Sequence, residues 1–201
     1  MGAAIPGMRL DVSELRRRLA SRSPPEFSVY GDDGAGREGT TAAAVLIPVV
    51  AHPGELTVLF TQRTQHLKNH SGQVSFPGGR VEPGDASVEF TALREAKEEI
   101  GLAAERVEIL GRLPDYHTRT GFRVAPVIGL VAPPLALAPD PREVEAVFEV
   151  PLAFLLDERN RERRTREFQG LSVGFYVYEY QGHVIWGATA AMLVNLHKML
   201  Q

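Results

Sequence analysis

The sequence contains no cysteine, which excludes disulfides, zinc–thiolate sites and thiol nucleophiles. Long apolar runs are also missing, since the longest, residues 42–51, is too short to span a bilayer. Residues 1–7 lack the basic stretch and apolar segment of a secretory signal. The formal net charge is -3, and no long basic stretch favours nucleic acid or an acidic membrane as a partner. We therefore expect a cytoplasmic protein that binds neither.

The apolar pattern predicts a sheet with a few helices. The chain has 201 residues and 44% of them are hydrophobic, enough for one sizeable core. Strands are predicted from β-branched and aliphatic residues at 42–50, 56–63, 107–113, 123–131, 144–150 and 171–180. Helical spacing predicts helices at 11–22, 87–100 and 187–200, and a helical turn at 151–156. Because strands dominate without a regular strand–helix alternation, we expect an α+β fold with helices covering a mixed sheet.

The chain is predicted to divide into an N-terminal extension, residues 1–39, and a main domain, residues 40–201. The extension contains the first predicted helix and a polar, glycine-rich loop. That helix either packs on the main domain or helps the chain to form a homodimer. A mixed charge run at 158–167 is expected to be an exposed segment at a hairpin.

Three glutamates on the second predicted helix are the main candidates for metal ligands. Glu95, Glu98 and Glu99 stand at i, i+3 and i+4, so their carboxylates share one helix face. Like charges at this spacing cost about 0.2–0.5 kcal/mol per pair, and Arg94 relieves part of that cost through Glu98. A divalent cation relieves more, since magnesium prefers hard oxygen ligands. Taken alone, such a triplet is more typical of a solvated acidic face.

The segment before this helix adds a second part of the candidate site. Gly78 and Gly79 permit positive φ and let the backbone approach a ligand closely, so a carbonyl there is a candidate metal ligand. Asp85 is well placed to pair with Arg94 and to hold the loop against the helix. That pairing is expected to support the site without taking part in the chemistry.

Together these residues resemble the Nudix box. The family pattern is a Gly, five residues, a Glu, seven residues, Arg-Glu, an apolar residue, any residue, Glu-Glu, any residue, Gly and an apolar residue. The matching positions are Gly79, Asp85, Arg94, Glu95, Glu98, Glu99, Gly101 and Leu102. The chain departs from the pattern in two ways. Asp85 replaces the Glu, and eight residues rather than seven separate it from Arg94.

The resemblance implies an α/β/α sandwich with a central mixed sheet. It implies hydrolysis of a nucleoside diphosphate linked to another group, with Mg²⁺ or Mn²⁺ as the cofactor. Glu95, Glu98 and Glu99 are then the metal-binding acids, the Gly79 carbonyl joins them, and Arg94 belongs to the catalytic group.

One carboxylate is expected to act as the base toward the attacking water. Two or more metal ions are expected between the glutamates and the diphosphate. Glu98 and Glu95 are the candidate bases inside the box. Glu143 and Glu145, after a proline-rich loop, are alternatives outside it, and surface charge is the simpler interpretation of that pair.

A second stretch, residues 59–79, narrows the expected substrate. Its residues resemble the signature of the coenzyme A pyrophosphatase branch of Nudix enzymes: Leu59-Phe60-Thr61-Gln62-Arg63-Thr64, Lys68 and Gly72-Gln73-Val74-Ser75-Phe76-Pro77-Gly78-Gly79. That signature has Arg at the position of Lys68 and Ser or Ala at the position of Thr64. The resemblance implies cleavage of coenzyme A to 4′-phosphopantetheine and adenosine 3′,5′-bisphosphate.

A coenzyme A-like nucleotide needs cations for its phosphates and a surface for its base. Arg63, Lys68 and Arg80 are the candidate phosphate-binding residues, although each is as readily explained as solvent-facing charge. The aromatic residues that could stack on adenine are Tyr116, Phe122 and Trp186, and a place in the core is the more common role for each.

Three other functions compete with this interpretation. Another Nudix substrate, such as ADP-ribose, a dinucleoside polyphosphate or a nucleotide sugar, is the nearest rival. A nucleotide-binding regulator without activity predicts erosion of the glutamate triplet, which is intact here. An RNA-processing pyrophosphatase needs a basic track for its substrate, and the net charge of -3 argues against one.

Overall fold

The computed structural model describes residues 10–21, 41–65, 72–118, 120–168 and 170–201. Over these ranges the chain forms α-helices α1 to α4 at Val12–Ala20, Val88–Ile100, Leu152–Leu156 and Gly187–Leu200. Strands β1 to β11 span Thr41–His52, Glu55–Arg63, Val74–Ser75, Gly78–Arg80, Val107–Arg112, Tyr116–His117, Phe122–Val131, Val144–Pro151, Arg161–Phe168, Leu171–Tyr180 and His183–Trp186. The predicted extension, residues 1–39, is described only at 10–21.

The main sheet has eight strands and is mixed, as predicted. Its central order is β3-β2-β1-β7-β5, with β4 paired to β1, β6 to β7 and β8 to β2. Strand β1 runs antiparallel to β2 but parallel to β7, with Thr41 opposite Phe122 and Val50 opposite Val131. Strands β9, β10 and β11 form a separate antiparallel sheet of three strands.

Helix α2 covers one face of the main sheet. Ala92, Ala96 and Ile100 are fully buried there against Leu46 and Leu59. Small alanines let the helix approach the strands closely, and each apolar contact removes surface from water at roughly 25 cal/mol per Å². This packing fixes the helix that carries the three glutamates.

Helices α1, α3 and α4 cover the other face, so the predicted α/β/α sandwich is confirmed. Leu15 of α1 and Leu152 of α3 join Ile47 and Phe60 in one continuous core. Helix α1 also packs against α4, where Arg18 donates a hydrogen bond to the carbonyl of Leu200. Within the described ranges, every helix is too short or too polar to cross a membrane.

The ends of α2 follow from its sequence. Ser87 accepts a hydrogen bond from the backbone N–H of Phe90 at 3.2 Å, an N-cap that satisfies one free amide of the first turn. Gly101 ends the helix with φ of 71°, in the left-handed region that favours glycine. A Cβ at Gly101 would also stand 2.8 Å from the backbone nitrogen of Ala138.

The charge run at 158–167 is mostly exposed and lies at a hairpin, as predicted. It contains strand β9, whose backbone pairs with β10 while most of its charged side chains face solvent. Strands β3, β4 and β11, in contrast, were not predicted. These three strands have two to four residues each, too few to establish a period-two pattern.

Candidate active site

The glycine loop and the glutamate helix meet where β4 lies beside β1. Gly79 pairs with Ala44, and a Cβ at Gly79 would overlap the carboxylate of Glu95. Gly78 is equally confined, because a Cβ there would stand 2.7 Å from Cα of Val45. Neither glycine has positive φ. Close approach of the backbone to a carboxylate, rather than an unusual turn, requires glycine at 79.

Arg94 organises the polar groups around this loop. Its Nε lies 3.1 Å from Oδ1 of Asp85 and its Nη2 lies 3.0 Å from Oδ2, a two-pronged pairing. Its Nη1 donates to Glu95 at 3.0 Å and to Glu98 at 2.9 Å, and its Nη2 also reaches the carbonyl of Arg80. The pairing therefore forms despite the shorter Asp side chain and the extra residue in the loop.

These contacts hold Asp85 and Arg94 in their charged forms. The hydrogen bonds from Arg94 hold the pKa of Asp85 well below its usual range, and the Glu82 and Thr91 donors add to the effect. The hydrogen bonds to Asp85 raise the pKa of Arg94 above its already high value. The Asp85–Arg94 ion pair, or ionic clasp, holds the loop against α2.

The three glutamates differ sharply in exposure. The exposed fraction of the side chain is 59% for Glu98, 16% for Glu95 and 6% for Glu99. Glu99 follows Ala96 and precedes Ile100 on the arc of α2 that faces the sheet, which explains its burial. The triplet is therefore not a uniformly solvated face.

Burial without enough positive charge destabilises the ionised form of Glu99. Desolvation raises the pKa of Glu99 to about 8, Arg63 opposes the rise, and the charges of Glu95 and Glu143 add to it. Burial also raises the pKa of Glu95, with Arg94 opposing. Nη1 of Arg63 lies 3.8 Å from Oε1 of Glu99, too far for a hydrogen bond.

Arg63 itself is incompletely bonded in the part of the chain that the structure describes. Its Nε is buried there and has no hydrogen-bond partner. A buried donor without an acceptor costs about 1–3 kcal/mol, so this atom marks a place where an anionic acceptor would be stabilised. The residue lies at the end of β2, between the glutamate helix and the start of β8.

The carboxylates fit a divalent cation chemically, although their present geometry is not a closed metal shell. Over the described ranges, no three His, Asp or Glu side chains are arranged to hold a metal ion. Glu95 and Glu98 are each bonded to Arg94 through one carboxylate oxygen, Oε1 of Glu95 and Oε2 of Glu98. A partly buried cluster of carboxylates with surplus negative charge is the kind of site that magnesium or manganese binds.

The two acids predicted outside the box separate in the structure. Glu143 is close enough to raise the pKa of both Glu95 and Glu99. Its backbone carbonyl accepts a hydrogen bond from Thr64, beside Arg63. Glu145 is exposed on β8 and is not among the main charges acting on either glutamate.

The other predicted substrate residues are spread more widely. Arg80 is exposed, and its guanidinium carbon lies 5.3 Å from the ring centroid of Phe122. Tyr116 is 2% exposed and belongs to the core. Trp186 is half-buried at the end of β11. Lys68 lies outside the described residues.

The support that the proline-rich loop gives to α2 was not predicted. Backbone N–H groups of Ala138 and Asp140 donate to the carbonyls of Ile100 and Glu99, each at 2.9 Å. These bonds satisfy carbonyls at the C-terminal end of α2. Because Asp140 is held beside Glu99, Glu143, three residues later in the chain, lies near the same end of α2. The loop has no periodic pattern, so only its contacts reveal the role.

Comparison with known proteins agrees with this geometry. The family model described as the NUDIX domain matches residues 40–173. A protein from Photorhabdus laumondii called uncharacterized Nudix hydrolase NudL is 40% identical over 192 residues, which cover 96% of this chain and 99% of that protein. A protein of the same name from Yersinia pestis is 39% identical and covers 92% of each chain. The crystal structure of the Nudix hydrolase RenU from M. smegmatis is similar in fold, with a TM-score of 0.55, 21% identity, and coverage of 87% and 94%.

Proposed function

Because this chain belongs to the Nudix hydrolase family, we propose that it hydrolyses the pyrophosphate bond of coenzyme A or one of its derivatives. Water attacks one phosphorus of the diphosphate and the bridging P–O bond breaks. The products are 4′-phosphopantetheine and adenosine 3′,5′-bisphosphate. One observation carries the proposal: Arg63, from the segment that resembles the coenzyme A branch, lies 3.8 Å from Glu99 of the box. A residue of the substrate signature therefore lies next to the candidate metal site.

Glu95, Glu98, Glu99 and the carbonyl of Gly79 are the residues that would hold a divalent cation, Mg²⁺ or Mn²⁺. When bound, such an ion neutralises diphosphate oxygens and lowers the pKa of a coordinated water. Arg94 stands within 3.0 Å of both Glu95 and Glu98 and keeps these carboxylates together in the absence of metal. The Asp85–Arg94 pair fastens the glycine loop against the helix, which fixes Gly79 beside Glu95.

Glu143 is our proposed base for the attacking water. A carboxylate that coordinates metal is a weaker proton acceptor, and Glu95 and Glu98 belong to the proposed metal site. Glu143 is exposed, and it is near enough to Glu95 and Glu99 to affect their pKa values. It therefore reaches the same region and keeps its carboxylate available to water.

Arg63 is the proposed phosphate ligand nearest to the reaction. Its buried Nε lacks an acceptor within the described residues, and a phosphate oxygen would supply one. Guanidinium binds phosphate oxygens through two parallel hydrogen bonds, which adds orientation to attraction. Arg80 and Lys68 stay as further candidates for the 3′-phosphate.

The test is hydrolysis of a panel of diphosphates with magnesium or manganese, with products separated by chromatography. The panel contains coenzyme A, dephospho-coenzyme A, ADP-ribose, a nucleotide sugar and a dinucleoside polyphosphate. We expect coenzyme A to have the highest kcat/KM, with dephospho-coenzyme A clearly lower because it lacks the 3′-phosphate. A Glu99→Gln preparation purified in parallel controls for contaminating hydrolases. Preference for ADP-ribose or another panel member would leave a Nudix hydrolase whose substrate we have assigned wrongly.

A further inference from the structure

Glu143 is held in place through both of its backbone hydrogen-bonding groups. Its N–H donates to the carbonyl of Asp140 at 3.0 Å, and its carbonyl accepts from the N–H of Thr64 at 3.0 Å. The N–H of Asp140 in turn donates to the carbonyl of Glu99 at 2.9 Å. The backbone of Glu143 is therefore tied on one side to the glutamate helix and on the other to the end of β2.

The register between β2 and β8 shifts by one residue near the start of β8. Gln62 pairs with Ala146, yet the next residue of β2 pairs with Val144, so one residue of β8 is passed over. A β-bulge of this kind changes where the neighbouring side chains lie and is common next to active sites. The shift brings Glu143 one residue closer to Arg63 along the ladder than regular pairing would.

The side chain of Thr64 adds a bond that its backbone does not supply. Its hydroxyl donates to the carbonyl of Arg142 at 3.2 Å, next to the carbonyl of Glu143 that its N–H binds. Thr64 is only 7% exposed, whereas Arg142 and Glu143 are both exposed. One buried residue therefore holds two successive carbonyls of an exposed turn, and this turn carries the proposed base.

These bonds close a ring of contacts around the candidate site. Thr64 directly follows Arg63 in the chain, and Nη1 of Arg63 lies 3.8 Å from Oε1 of Glu99. In order, the members of the ring are Glu99, Asp140, Glu143, Thr64 and Arg63. The ring includes a proposed metal ligand, the proposed base and the proposed phosphate ligand. Loosening the bonds of Thr64 would therefore change the distance of the base from the other two groups.

We propose that Thr64 is a positioning residue that fixes the place of the Glu143 carboxylate relative to the metal-binding glutamates. The inference rests on the proposed function, in which Glu143 accepts a proton from the attacking water. Thr64 acts through the turn that carries Glu143 and not on the substrate. Position matters because a base must come within about 2.6–3.2 Å of the water, and a misplacement of about 1 Å can cost about 10²-fold in rate.

The test removes the hydroxyl while keeping the shape of the side chain. Thr64→Val should lower kcat for coenzyme A by about tenfold, less than a full 1 Å displacement costs, because the backbone bond to Glu143 remains. KM and the magnesium concentration for half-maximal activity should stay within about twofold, since Arg63 and the glutamates of α2 are unchanged. Thr64→Ser keeps the hydroxyl and should retain most of the wild-type kcat.

Thr189→Val is the matched control for the loss of a buried hydroxyl. The hydroxyl of Thr189 donates to the carbonyl of Val74 at 3.2 Å, the same kind of bond at the same distance. Thr189 is buried on α4, on the face of the main sheet opposite α2. Urea unfolding should show a loss of stability in both valine variants, whereas only Thr64→Val should lower kcat.

A double-mutant cycle separates positioning from a general loss of stability. In the Glu143→Gln background, Thr64→Val should cause no further loss of kcat, because the group that it positions is already gone. An equal loss in both backgrounds would overturn the proposal, as would wild-type kcat in Thr64→Val. A rise in KM with unchanged kcat would also overturn it, because the effect would then lie at Arg63. If the valine variant does not fold, Thr64→Ser and Thr64→Ala, which differ by one hydroxyl, replace it in the cycle.

Failure of the proposed function gives different results. If Glu143→Gln alone keeps the wild-type kcat, the assignment of the base fails and the role of Thr64 fails with it. If the wild-type chain prefers another diphosphate to coenzyme A, only the substrate assignment fails, and the same cycle on the preferred substrate decides the role of Thr64. A wild-type chain that cuts no diphosphate of the panel would overturn both proposals.

Discussion

Two helices of this protein carry clusters of glutamate and arginine, and the clusters behave in opposite ways. On α1, the single carboxylate of Glu14 receives hydrogen bonds from Arg17 and Arg18, the shortest at 2.6 Å from each. These bonds lower the pKa of Glu14 to about 2. On α2, burial raises the pKa of Glu99 to about 8, although Arg63 is nearby.

The difference comes from charge balance and burial, since the residue types and helical spacings are similar. Glu14 has two guanidinium partners, so its cluster is neutralised within the protein. In the α2 cluster, Arg94 is shared by Asp85, Glu95 and Glu98. Glu99 has the more distant Arg63 at 3.8 Å and a hydrogen bond from the backbone of Gly78. Surplus buried negative charge costs stability unless a further cation arrives, and for that reason it is a better sign of function than the number of charges.

The largest expected effect on turnover comes from removing the charge of Glu99, the most buried of the three glutamates on α2. Glu99→Gln should lower kcat by about 10³-fold, comparable to loss of a principal stabilising group in an active site. Its urea midpoint should be unchanged or higher, because a neutral amide avoids the desolvation of a carboxylate. Steady-state kinetics at saturating magnesium and urea unfolding provide the measurements. Wild-type turnover in this variant would refute the metal site.

A somewhat smaller effect is expected at the edge of the same cluster. Glu143→Gln should lower kcat by about 10²-fold, the contribution typical of a general base. The matched change Glu145→Gln, two residues along the chain, should leave kcat within about twofold, because the charge of Glu145 is not among the main ones acting on Glu95 or Glu99. Rates across a pH series distinguish a base from a ligand. Equal losses in the two variants would show that neither carboxylate is specifically the base.

Weakening the clasp should produce a moderate effect. Asp85→Asn removes the charge that Arg94 pairs with, and loss of such supporting contacts typically costs about tenfold to 100-fold in metal affinity or activity. The magnesium concentration for half-maximal activity should rise. Asp85→Glu restores the acid of the family pattern and should recover most of the loss. If it does not recover, the one-residue-longer loop requires the shorter side chain.

The smallest effect is expected in the balanced cluster of α1. Glu14→Gln should leave activity unchanged, because the residue is remote from α2, and exposed ion pairs contribute little to stability. The contribution of the Glu14 ion pairs to the free energy of unfolding is fully present above 4.5, the pKa of Glu14 in the unfolded chain, and is lost as the pH falls toward 2. Thermal unfolding at pH 7 and pH 3 measures it. A drop in turnover would show that the two helices are coupled.

Much of the site could be predicted because it depends on spacing along one helix. The pairing of Asp85 with Arg94 and the contact of Arg94 with Glu98 are local, and both formed as expected. The unequal burial of the glutamates could not be predicted, since it depends on which arc of α2 faces β1 and β2. The proximity of Glu143 depends on the course of the loop through Ala138, which no periodic pattern encodes.

The fold shows the same difference between features set by local sequence and features set by distant contacts. Long strands such as β1, β2, β7 and β10 have enough residues to establish a pattern, and all were predicted. The hairpin strand β11 has four residues, and its place is defined by pairing with β10. The place of β11 in the second sheet could not be predicted from sequence for that reason.

The parallel pairing of β1 with β7 has a consequence for how the chain folds. Thr41 lies opposite Phe122, and strands β2 to β6 and helix α2 all lie between them in the sequence. Contacts between distant segments form slowly, whereas the β1–β2 hairpin is local and can form early. Since α2 packs on both β1 and β7, we expect the burial of Glu99 to be completed only after β7 docks. Burial of Glu99, which is electrostatically unfavourable, is then expected late in folding, when β7 pairs with β1.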